Sequence, residues 1–192
     1  MDPAKPVSRR HFLQIAALAS LSGSTLVSCS SPTRRWRFLS DNEALLVETL
    51  SEQIIPTDED PGGKWANVVR FVDRQLAGPY LRFRNLYRQG LSCLQSTSQA
   101  VHGKFFLELN WDQQTQLLTR LENDQVPEGI WVSLSSSKFF GILCEHCLQG
   151  FYGSPRHGGN RDGISWRMLD LGYPQVSPRT GPGSPEIETG VK

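Results

Sequence analysis

Neither sign of charge dominates this chain: 20 Lys and Arg stand against 19 Asp and Glu, for a formal net charge of +1. That balance gives no electrostatic basis for a nucleic-acid partner, which needs a concentrated basic face. Arg34, Arg35 and Arg37 do cluster, but they lie close to the N-terminus, where a solvated linker accounts for them. There is no long uninterrupted apolar run. The best candidate, Phe12 to Val27, is short and broken by Ser20, Ser22, Gly23 and Ser24, which makes it a poor permanent membrane span. Also missing are a Gly-x-Ser-x-Gly elbow, a Walker loop and a dinucleotide fingerprint. No segment alternates convincingly as a strand, Trp131–Leu134 being the best and short, and no internal repeat is present.

What remains describes a single helical domain. The 192 residues are enough for one real core, and 38% hydrophobic with 20% charged residues suits a globule with generous loops. Ser40 and Glu43 stand in capping-box spacing before Leu45, Leu46, Leu50 and Ile54, which predicts a first helix closed by Pro56. The stretch PTDEDPGGKWA reads as a turn. Further helices are predicted over Ala66–Leu76, Leu81–Ala100 and Trp111–Leu121, the last capped by Asn110. A fifth, capped by Ser136 or Ser137, carries Phe139, Phe140, Ile142, Leu143 and Leu148 and is expected to stop at Gly150. The fold class is thus mainly α, with long ordered Gly/Pro-rich loops over residues 40–174. The tail over 175–192, rich in Pro, Gly and Ser, is expected to be disordered.

The N-terminus has the grammar of an export signal: a basic head, an apolar stretch and small residues at its end. Ser8-Arg9-Arg10-His11-Phe12-Leu13 resembles the twin-arginine signal, with Arg9, Arg10, Phe12 and Leu13 as its key residues. Leu26-Val27-Ser28-Cys29 looks like a bacterial lipobox, which would make Cys29 the lipidated first residue of the mature chain. Several acyl chains anchor a protein firmly to a membrane. The expected layout is a signal peptide over 1–28 and a linker over 29–39. Loss of Lys5, Arg9, Arg10 and Asp2 with the signal moves the net charge from +1 to −1. Twin-arginine export moves proteins that are already folded, usually because they acquire a cofactor or partner in the cytoplasm. With no cofactor motif downstream, a partner is the expectation.

Three groups of residues could carry chemistry. Thr57-Asp58-Glu59-Asp60 offers oxygens to a hard cation but lacks EF-hand spacing, and reads better as a turn. Cys144-Glu-His-Cys147 is followed by Leu148, which excludes covalent haem attachment, and zinc would need more ligands. A disulfide among Cys93, Cys144 and Cys147 suits a protein facing outside, and buried free thiols are the alternative. The third is GFYGSPRHGGNRDGISW, from Gly150 to Trp166. His157 has only Asp162 as an acid nearby, and Gly158-Gly159 lack the setting of a phosphate loop. Glycine pairs permit close backbone approach, while Arg and Trp are common interface anchors. Asn160, Arg161 and Trp166 are residue types that order such a loop by hydrogen bonds and stacking. A stand-alone redox or hydrolytic enzyme using His157/Asp162 or Cys144/Cys147 is the competing reading.

Two blocks carry a family resemblance. EQIIPTDEDPGGKWANVVRFVDRQL and FFGILCEHCLQGFYGSPRHGGNRDGISWRMLDLGYP resemble the two signatures of the gluconate 2-dehydrogenase small-subunit family, also called subunit 3 or gamma. The likeness runs from about Leu39 to Pro174. Cys144 and Cys147 depart from the family pattern, as does His157, where tyrosine is usual. The resemblance implies an accessory, non-catalytic subunit without a cofactor of its own, with Phe151, Tyr152, His157, Gly158, Gly159, Asn160, Arg161 and Trp166 as the candidate docking residues. Its partner would be a large FAD-dependent dehydrogenase of the glucose-methanol-choline type, acting on a sugar, sugar acid or other alcohol. A multihaem cytochrome c often follows as electron acceptor. The small subunit's signal would export both proteins through the twin-arginine translocase to the periplasm, where Cys29 would tether the complex.

Overall fold

Ser40 accepts the backbone N–H of Glu43 while Glu43 accepts that of Ser40, and this reciprocal cap starts α1 (Asp41–Ile54). A computed structural model describes residues 35–171. Arg9, Arg10, Phe12, Leu13, Cys29 and the tail over 175–192 lie outside the described residues. The remaining helices are α2 (Val68–Leu76), α3 (Arg84–His102), α4 (Trp111–Glu122), α5 (Ser136–Tyr152) and the short α6 (Ile164–Met168). No strand occurs among the described residues, and Trp131–Leu134 forms bends. The expected single helical domain is the one observed.

α5 is the central element, touching each of the other five helices. Phe139, Leu143, Cys147 and Phe151 point from it into the core, where Tyr87 and Phe106 join them. Burying side chains of this size contributes about 1.5–3 kcal/mol each. Asn110 caps α4 as expected, Gln113 accepts the Asn110 N–H in return, and Leu117, Leu118 and Leu121 form its buried face.

Several expectations need correction. Ser135, not Ser136 or Ser137, caps α5: its hydroxyl accepts the N–H of Lys138 at 3.0 Å. Gly150 does not stop α5, which continues through it to Tyr152 because Gly150 lies inside a helix–helix contact. A β-carbon there would be 3.0 Å from the Phe71 ring of α2. The second helix begins at Val68, since Asn67 is left-handed (φ 60°) and cannot be its first turn. Leu45 is 49% exposed; at 100° per residue it lies roughly opposite the inward stripe of Leu46, Val47 and Leu50. Leu148 is likewise turned outward from α5.

The linker also ends earlier than expected. Residues 35–39 dock on the domain, with Trp36 and Leu39 buried. Asp73, itself buried on α2, accepts three successive backbone N–H groups, from Arg37 (2.8 Å), Phe38 (2.8 Å) and Leu39 (3.0 Å). Arg35 and Arg70 lie over the Trp36 ring, and Arg84 and Arg88 over Phe38. Cation–π contacts of this kind add about 0.5–1 kcal/mol each at exposed sites.

Candidate functional site

The segment after α5 folds back over α2 and the end of α5. Gly153 ends α5, and a 3-10 turn over Pro155–His157 leads to Gly158, whose φ of 108° suits glycine alone. Gly159 then meets α5 backbone to backbone: a β-carbon on it would fall 2.1 Å from the Gly150 carbonyl oxygen. Asn160 fastens the loop. It is fully buried and left-handed, donates Nδ2 to the Gly153 carbonyl at 2.8 Å, and accepts the Ser165 N–H on Oδ1 at 3.0 Å. The Arg161 N–H donates to Ala66 O at 3.1 Å, and the Arg74 side chain donates to Arg156 O at 3.2 Å, which tie the loop to α2 and the residues before it. The Trp166 indole N–H donates to the Tyr152 carbonyl at 2.9 Å and closes the ring of contacts.

The eight candidate docking residues therefore divide into two groups. Phe151, Gly159 and Asn160 are buried and hold the loop in shape. Tyr152, His157 and Arg161 are exposed and available to another molecule, while Gly158 and Trp166 are half-buried between the two groups. Trp65, which sequence reasoning passed over, stands beside Arg161. With Glu48 and Lys64 these residues line an open cleft of ≈ 330 Å³. The acidic turn before Trp65 is satisfied internally: Glu52 accepts the N–H groups of Thr57 and Lys64, and Asp58 accepts that of Asp60, each at 2.9 Å.

The residues of the enzymatic alternative are not assembled. His157 Nε2 accepts from Arg156 at 3.0 Å, and no hydrogen bond or ion pair joins it to Asp162 among the described residues. Cys93, Cys144 and Cys147 are free thiols, so the disulfide is not the arrangement adopted. Cys93 instead donates to the Ile130 carbonyl at 3.3 Å. Burial, helped by the charge of Glu122, pushes the Cys144 thiol up to about 11, and burial raises Cys147 further. Protonated thiols are poor nucleophiles and poor metal ligands. Among the described residues no three His, Cys, Asp or Glu side chains converge as a metal site.

Residues 41–172 match the profile of the family described as gluconate 2-dehydrogenase subunit 3. The chain belongs to that family. It has no significant match to a curated protein or to a solved structure. In this subunit 3 domain the matched region contains both the acidic turn with Trp65 and the Asn160 loop, which the fold brings side by side.

One buried polar cluster escaped the sequence reading. His146, weighed there only as a metal ligand, is 2% exposed and shares a 3.0 Å hydrogen bond with the Tyr87 hydroxyl. Its ring stacks on Tyr80 at 4.5 Å and meets Phe83 edge-on, and the Tyr80 hydroxyl donates to Gln149. Burial holds the imidazole down at about 4, with Glu145 opposing the shift and Arg82 adding to it. A signal was available: His146 shares the face of Phe139, Leu143, Cys147 and Gly150, which is a core address.

Proposed function

We propose that this subunit 3 chain is the non-catalytic small subunit of an FAD-dependent dehydrogenase complex. It docks to a flavoprotein of the glucose-methanol-choline type and carries it through twin-arginine export. Oxidation of the sugar, sugar acid or alcohol takes place on the FAD of the partner, and a multihaem cytochrome c accepts the electrons in complexes that contain one. Membership of the family supports the role of dehydrogenase subunit. The observation that carries the docking role is the burial of Asn160 with both the nitrogen and the oxygen of its side-chain amide bonded. The loop is ordered from within, so Tyr152, His157 and Arg161 are presented on a preorganised backbone, which lowers the entropy lost on association.

Export rests on Arg9-Arg10 with Phe12 and Leu13, and tethering at the periplasmic membrane rests on Cys29. A signal for folded cargo on a chain without a cofactor motif makes physical sense if the cofactor belongs to the passenger. The test is to express both subunits with Arg9→Lys and Arg10→Lys together and to locate each by cell fractionation. Both should stay in the cytoplasm. Normal export of the flavoprotein would refute the carrier role, and Cys29→Ser should release the complex into the soluble envelope fraction.

A further inference from the structure

We infer that the docking surface extends beyond the Gly150–Trp166 loop and is centred on Trp65 and Arg161, where it takes an acidic, apolar-flanked segment of the FAD-carrying subunit. This rests on the docking role proposed above and specifies its site and chemistry. Trp65 is 58% exposed, yet its backbone is fixed. The next residue, Ala66, donates to Gly62 O at 3.0 Å and accepts from Arg161 N–H at 3.1 Å. Glu52 holds the N–H of Lys64 on the other side. The indole lies outside the hydrophobic core on an anchored backbone, and Trp is among the residue types enriched at interface hot spots.

The charges around it define the occupant. Arg161 projects from the loop with no carboxylate or carbonyl bound to its guanidinium among the described residues. Glu48 shares the cleft, but its charge is met by Lys64 at 4.0 Å. Arg70 lies over Trp36 and has no carboxylate partner among the described residues either. Glu48 also borders a second, smaller hollow lined by Leu45, which is 49% exposed. The Leu45 hollow also holds Arg35 and Asp41, whose charges offset, so the unmatched charge between Trp65 and Leu45 is that of Arg161. A carboxylate would meet Arg161 there, with apolar groups laid over the indole and Leu45.

The full chain, co-expressed with its FAD-containing partner and captured by an affinity tag, provides the test. Flavin retained per captured chain is the readout. Arg161→Glu and Trp65→Ala should each weaken retention by at least about tenfold, the loss expected of an interface anchor. Trp111→Ala, which removes a comparably exposed tryptophan (49%) from α4, should leave it unchanged. Circular dichroism and melting temperature should match the wild type throughout, since both altered side chains are exposed. If the wild type retains flavin and both variants retain it equally, the inference falls and the docking role stands. If the wild type retains no flavin, the docking role falls and the inference falls with it. Loss of binding to anionic phospholipid vesicles with flavin retention intact would assign the face to lipid and overturn the inference.

Discussion

Gly159 and Gly150 touch backbone to backbone, so closely that a β-carbon on Gly159 would lie 2.1 Å from the Gly150 carbonyl oxygen. This contact joins the loop to the central helix, and backbone cannot swing aside as a flexible side chain can. Gly159→Ala is expected to push the loop off α5 and destabilise the domain by about 1–3 kcal/mol, with weaker capture of the flavoprotein. Gly141→Ala is the control: nothing lies within 4 Å of its β-carbon. As an exposed helical position it should gain about 0.5–1 kcal/mol. Urea melts of the two variants should move in opposite directions.

Asp73 anchors the chain where it enters the domain. Its carboxylate accepts three consecutive N–H groups, and Asn offers only one acceptor oxygen. Asp73→Asn should therefore leave a buried donor facing a donor and cost about 2–3 kcal/mol. Amide hydrogen exchange should speed up at Arg37, Phe38 and Leu39 before it does elsewhere. Unchanged protection there would show that the arginine–aromatic contacts alone hold the segment.

His146 makes stability depend on pH in a defined window. Its folded pKa, at about 4, lies below the unfolded value near 6.5, so the unfolded chain binds the extra proton between them. The folded state is therefore favoured fully above pH 6.5 and loses ground as pH falls toward 4, by roughly 3 kcal/mol in total. His146→Phe should flatten the pH dependence of unfolding free energy across that range, even if its own stability is lower. Asp124, held below the usual carboxylate range by hydrogen bonds from Ser137, Ser136 and Ser135, acts only in more acidic solution. Its contribution is present above its unfolded pKa near 3.8 and is lost as pH falls through the lower folded value, so it does not overlap the histidine window.

The thiols should be slow to react. Cys147 is fully buried, and burial raises all three thiols above their ordinary range. At neutral pH an alkylating reagent should label native Cys93 and Cys144 slowly and Cys147 only after unfolding, as mass spectrometry of timed samples would show. Rapid labelling of Cys147 in the native protein would contradict the packing of α5.

The helices were legible in the sequence because their signals are local. Ser40 with Glu43, Asn110 as a cap, and the apolar spacing of α3 and α4 each act within one or two turns, so no distant residue was needed to read them. The Gly-Gly-Asn block could likewise be read as an ordered loop from residue types alone. Which members of that block point inward could not be read there. Asn160 is buried only because Gly153 and Ser165 come to lie on either side of it, and Gly150 passes through a helix instead of ending it only because Phe71 arrives from α2. The pairing of Trp65 with Arg161, 96 positions apart in the chain, was equally hidden. Local chemistry determined where this chain turns and coils, whereas the meeting of distant segments decided which of its side chains remain available to another molecule, since burial belongs to the packed fold and not to any one residue.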